Sequence, residues 1–145
     1  MNPKEYQKLA EKASPKSPIF KDSAFAFLIG GFICAVGQAL INLYVYLGAE
    51  KETASALASI SLISFSVLLT SLNVFDNIAK VAGAGTIVPI TGFANSVASP
   101  AIEFKSEGFV LGMAANMFKI AGPVIVYGVS ASVIYGVIYW ITTLF

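Results

Sequence analysis

The chain contains no histidine, no arginine and a single cysteine, Cys34, and only 12% of its 145 residues are charged. Each absence removes a class of chemistry. With no histidine and one thiol there is no ligand set for zinc, no Ser/His or Cys/His nucleophile pair, no disulfide framework and no haem attachment, so neither an enzyme nor a cofactor is expected. With no arginine and a net charge of +1, and no lysine cluster interleaved with aromatics, nucleic acid finds no footprint. The glycine pair Gly83 and Gly85 opens like a dinucleotide fingerprint. Val88 stands where the third glycine belongs, however, and no alternation of strand and helix surrounds it.

Apolar residues are abundant: 57% of the chain, against roughly 45–50% in a soluble domain. Residues 23–49, 53–75, 81–102 and 120–145 carry no charge and together cover 98 of the 145 positions. A helix crossing the hydrocarbon core needs about 20 apolar residues. The composition therefore predicts an all-α integral membrane protein. It has three full transmembrane helices, over about 23–48, 53–75 and 121–145, and a Gly/Pro-broken segment over 81–119 that is re-entrant or discontinuous. Four spans is the alternative. These elements form one membrane domain, 23–145.

Residues 1–22 hold 8 of the 17 charged side chains and do not resemble a cleaved signal peptide. Asn2 and Pro3 suit a helix start, and Tyr6, Leu9, Ala10 and Ala13 recur at helical spacing opposite Lys4, Lys8, Glu11 and Lys12. That pattern fits a short interfacial helix, and equally a solvated tail. Five lysines precede the first span, whereas Lys51 is alone in the loop after it, so the amino terminus is expected in the cytoplasm.

Polar side chains in hydrocarbon need partners. Gly31, Ala35, Gln38 and Asn42 form one stripe of the first span, and Ser59, Ser66 and Asn73 repeat every seven residues in the second, with Ser55 and Thr70 nearby. The two faces are expected either to glue helices together or to line a water-filled path. In the last span Gly128, Ser132 and Gly136 stand four apart, a seam for close helix contact, and Tyr135, Tyr139 and Trp140 supply an aromatic belt.

The run from Val81 to Phe93 holds Gly83, Gly85, Pro89 and Gly92, which an uninterrupted helix tolerates poorly. It reads as a break, with a half-helix restarting near Thr91, carrying Asn95 and offering its amino end to an anion. A second break is expected at Gly122-Pro123, because 38 residues from 108 to 145 make about 57 Å of helix, nearly twice a core of about 30 Å. Lys119 then lies between a half-helix and the last span, where an ammonium either serves function or snorkels to the interface. The substrate path is accordingly assigned to Gly83, Gly85, Pro89, Thr91, Gly92, Asn95, Gln38, Asn42 and Lys119. Asp76, Lys80, Glu103 and Glu107 are candidates for ion pairing, and no metal ligand set is assigned.

Three segments carry a family resemblance: Ala82 through Gly85, Pro89, Gly92 and Asn95 to Ser96; Glu103-Phe104-Lys105-Ser106-Glu107-Gly108; and Asn116-Met117-Phe118-Lys119-Ile120-Ala121-Gly122. Together with Phe27 through Gln38 in the first span, they resemble the SpoVA family of spore-forming bacteria. The resemblance implies a subunit of the membrane complex that moves dipicolinic acid, alone or with calcium, across the spore (forespore) inner membrane, inward during sporulation and outward during germination. It also implies gating by membrane tension, and partnership with other SpoVA membrane subunits and an associated soluble SpoVA protein. Dipicolinate is a flat dianion, which suits helix amino ends together with Lys119 or Lys80. Glu103, Glu107 and Asp76 are the carboxylates available to calcium. A path for a dianion needs more than one short chain, so an oligomer is expected, and a non-conducting scaffold subunit is the alternative function.

Overall fold

The computed structural model describes residues 18–144. The expected amphipathic helix near the amino terminus lies outside them. Three long apolar helices and a set of short ones make up the fold: α1 (Ile19–Tyr46), α2 (Lys51–Ser71), α3 (Phe75–Ala82), α4 (Ala84–Ile87), α5 (Ile90–Glu103) and α6 (Ala115–Thr143). A 3-10 turn (Lys105–Glu107) and a π-helical turn (Phe109–Ala114) join α5 to α6. Helices α1, α2 and the continuous stretch Phe109–Thr143 are long and apolar enough to cross a membrane.

The first span starts directly after Pro18, four residues before the charge pattern alone would begin it. Its end is a Schellman motif: Gly48, at φ +95°, donates to the Val45 carbonyl at 3.0 Å and Ala49 to that of Tyr44 at 3.0 Å. Helix α2 ends the same way. Asn73 (φ +59°) donates to Thr70 at 2.9 Å and Val74 to Leu69 at 2.9 Å. Asn73 therefore does not continue the polar stripe of α2. It closes the helix, because a left-handed residue is required there and asparagine tolerates that conformation.

Breaks follow at Gly83 and at Pro89. Gly83 adopts φ +50°, ψ −121°, and separates α3 from α4. Pro89, extended at ψ 161°, caps α5. Gly122-Pro123 does not break the chain, in contrast to the expectation. Helix α6 runs through Pro123 as α5 runs through Pro100. The ring costs a helix the hydrogen bond to the carbonyl four residues back, which membrane helices accommodate. The surplus length is absorbed instead by overhang. Residues 120–143 span about 36 Å, enough for a core of about 30 Å, and 109–119 continue past it alongside α5.

The direction of α5 follows from its bonds to α2. Ser66 Oγ donates to the Thr91 carbonyl at 2.6 Å and Thr70 Oγ1 to Asn95 Oδ1 at 2.8 Å. Both pairs are 25 residues apart, so α2 and α5 run the same way. Helices α3 and α4 must therefore carry the chain back in before α5 leads it out, and 75–103 is a re-entrant hairpin. Its apex lies beside Ser66, five residues or about 8 Å from the end of α2. The buried core is small and made of small residues: Ala54, Ala58, Ala82, Ala94 and Ala121 with Phe75, Ser66, Thr86 and Thr91. Such residues let backbones approach where the hydrophobic effect between helices is weak. Gly85 is the tightest case. A Cβ there would stand 2.8 Å from Ala26 Cα, and one on Gly30 would stand 3.2 Å from the Gly85 carbonyl oxygen.

Candidate functional site between the hairpin and the last helix

Helix α5 and the start of α6 lie side by side and flank a half-open cavity of about 450 Å³, at whose rim Glu103 and Lys119 are exposed. Asn95, Ser96, Ser99 and Glu103 enter it from α5 and Asn116 and Lys119 from α6, over an apolar wall of Ile87, Pro100, Phe104 and Ile120. Gly92, in the first turn of α5, closes one end. A Cβ on Gly92 would fall 2.6 Å from Ile87 Cα, so only glycine lets α4 fold against α5 at this point.

The polar groups are oriented rather than loose. Asn95 is held through Thr70, whose Oγ1 is 2.8 Å from both Asn95 Oδ1 and the Ser66 carbonyl and shares one hydrogen between them. Asn116 donates from Nδ2 to the Gly112 carbonyl at 2.8 Å. Ser96 donates to the Phe93 carbonyl at 2.7 Å. Pro123 lacks the amide hydrogen that would bond the Lys119 carbonyl, and Pro100 the one for Ser96. Two backbone acceptors on facing helices are thus released beside the cavity. Lys119, the Asn95 amide N–H groups and the amino end of the 14-residue α5 are the donors a small polar anion would meet, whereas Glu103 and the released carbonyls are acceptors suited to a cation or to a hydrogen-bond donor.

Of the residues assigned to a path, this cavity gathers Gly92, Asn95 and Lys119, together with Glu103. Gly85 is buried against α1 as a packing residue, Gly83 is the exposed turn and Pro89 the α5 cap. Thr91 faces a different cavity, about 220 Å³ between α1 and α2, with walls that are apolar apart from Ser66 and Thr86. Its Oγ1 is buried there without a hydrogen-bond partner among the described residues. The two polar stripes do not meet. Ser66 and Thr70 turn to Thr91 and Asn95 of the hairpin, whereas Gln38 and Asn42 are exposed on α1 and, among the described residues, bond only each other, at 2.9 Å.

Asp76 and Lys80 lie on the exposed face of α3, Lys80 being 3.4 Å from Asn77 Oδ1, and Glu107 lies in the exposed turn before the π-helix. None of the three lines the cavity. Gly31, Gly128 and Gly136 face open space, and Ser132 bonds the Gly128 carbonyl of its own helix. No seam among the described residues uses them. Among the described residues no three carboxylate or thiol groups gather closely enough for a metal ion. The sequence did not single out Asn116 or Ser99 for the site, although their proximity to Lys119 and Asn95 along their helices was available.

Three apolar crossings, a re-entrant hairpin and a polar cavity at its flank define a helical integral membrane protein. The chain belongs to the SpoVAC/SpoVAEB sporulation membrane protein family, whose sequence model matches residues 22–138. It is similar to Stage V sporulation protein AC of Bacillus subtilis (strain 168), with 50% identity over 134 residues, covering 92% of this chain and 89% of that protein. No solved structure matches it.

Proposed function

We propose that this chain is a membrane subunit of the dipicolinate channel or transporter of the spore inner membrane, loading the spore during sporulation and emptying it during germination, with opening favoured by membrane tension. It performs no catalysis. The observation that carries the reading is the α5–α6 cavity, where Lys119, Asn95, Asn116 and the amino end of α5 converge. A flat dicarboxylate would set one carboxylate toward Lys119 and the other toward the helix end and the Asn95 amide N–H groups. Calcium would travel with the dianion as cargo, with Glu103 the nearest carboxylate. Lys21, Lys80 and Lys105 flank the hairpin side of the membrane and Lys51 the other, which supports a cytoplasmic amino terminus and a cavity mouth on that side.

A scaffold role is favoured by one feature. From Pro123 onward every described residue of α6 is exposed, so this part of the helix has no partner among the described residues. Gly128 and Gly136 leave room there for a helix of another SpoVA membrane subunit, and a soluble SpoVA protein would complete the assembly. Dipicolinate efflux from liposomes under osmotic downshift, with and without calcium, separates the readings. Conduction by the chain alone, lowered by Lys119→Ala and Asn95→Leu at unchanged elution volume, supports the pathway. Flux that appears only when a partner subunit is added and ignores both substitutions assigns this chain to the scaffold.

A further inference from the structure

Hydroxyl groups along the crossings are satisfied by their own helices: Ser55, Ser59, Ser61, Ser64 and Ser71 of α2 each donate to the carbonyl four residues back. Gln38 and Asn42 of α1 are not. Their one recorded bond, Gln38 Nε2 to Asn42 Oδ1 at 2.9 Å, leaves one N–H and the carbonyl oxygen of Gln38 and both N–H groups of Asn42 without a protein partner among the described residues. Both side chains are exposed on the side of α1 opposite its half-buried face, and near the end of the helix they share a shallow hollow with Lys51, the first residue of α2. They stand about 12 and 6 Å below the Tyr46 end of the helix, inside an uncharged run. Sharing that hollow with Lys51 places the two amides toward the surface end of α1; where lipid rather than water covers them, each polar group left open carries a free-energy cost.

We propose that this face of α1 packs in parallel against the same face of a second copy of the chain, with Gln38 and Asn42 forming a shared amide ladder. The occupant follows from complementarity. Copies of one chain insert in the same direction, so rotation about the membrane normal brings residue 38 of one to the depth of residue 38 of the other, and likewise for 42. A carboxamide donates and accepts, so it pairs with its own image, and the run 23–49 brings no charge to be desolvated. Backbone approach is permitted: Ala35 and Gly31 are exposed on the same side, and a Cβ on Gly31 meets nothing. This contact stands apart from the cavity and would hold whether or not the chain conducts.

The test uses the full chain in native membranes with Cys34→Ser, single cysteines introduced by Gly31→Cys, Ala35→Cys or Leu40→Cys, and oxidation by copper phenanthroline. Gly31→Cys and Ala35→Cys should give a covalent species of twice 15.3 kDa, whereas Leu40→Cys, on the side facing α2, should not. Adding Gln38→Leu and Asn42→Leu together should lower the dimer yield at least tenfold while the variant still elutes as folded protein, and Asn42→Gln should restore it. Equal yields from all three positions, products only with a polypeptide of another mass, or a strictly monomeric mass by light scattering of the unmodified chain would overturn the proposal.

Discussion

Gly85→Ala is the sharpest probe of the way the hairpin is docked. The added methyl would stand 2.8 Å from Ala26 Cα and 2.9 Å from its carbonyl carbon, where carbon atoms pack at about 3.5–4.0 Å. Helices α1 and α4 must separate by about 1 Å, and because the obstacle is backbone no rotamer change relieves it. Overpacking costs roughly 1–3 kcal/mol, and an obstacle made of backbone puts this case in the upper part of that range, about 2–3 kcal/mol. Alanine returns up to about 1 kcal/mol of helix propensity, leaving a net loss of about 1–2 kcal/mol. For a chain of this size that lowers Tm by about 2–8 °C, read by circular dichroism of the purified protein in detergent. Gly136→Ala, where a Cβ meets nothing, serves as the control and should leave Tm unchanged or slightly raised. Equal Tm for Gly85→Ala and the unmodified chain would refute the α1–α4 contact.

The α2–α5 register predicts coupling. In a double-mutant cycle Thr70→Val and Asn95→Leu should be non-additive by about 0.6–1.7 kcal/mol, whereas Ser64→Ala with Asn95→Leu should add. Thr91→Val removes a buried hydroxyl oxygen that has no partner among the described residues while keeping its shape, so thermal stability should hold or rise by about 1 kcal/mol; a marked loss would show that the hydroxyl has a partner. Asn73→Val places a branched side chain at φ +59° and should cost about 1–2 kcal/mol, with Asn73→Gly near neutral. Similar Tm values for both would rule out the left-handed cap.

Uncharged run lengths located α1, α2 and α6, because a helix in lipid must satisfy its own backbone and the bilayer sets its length. The glycines and proline of 83–92 likewise marked the break, since Gly83 needs a positive φ and Pro89 cannot continue a hydrogen-bonded helix. Periodicity identified the polar faces but not what each one meets. It placed Ser66 and Thr70 on one side of α2 without saying that α5, parallel and 25 residues on, would receive them. Gly31 and Gly30 are adjacent and equally small, yet only Gly30 touches another helix. That distinction belongs to the crossing geometry. Asn73 matched a seven-residue repeat by coincidence of spacing, and its role as a cap depends on a backbone angle that the repeat cannot encode.

The central claim is that the cavity beside the hairpin opens to one membrane face and receives the dianion. In a Cys34→Ser background, Ser99→Cys should react with a membrane-impermeant thiol reagent from the same side as Ser106→Cys and from the side opposite Gly48→Cys. Dipicolinate should slow the reaction at Ser99→Cys without affecting Ser106→Cys. A Ser99→Cys thiol that is silent from both sides, or that reacts at a rate indifferent to dipicolinate, would contradict the account.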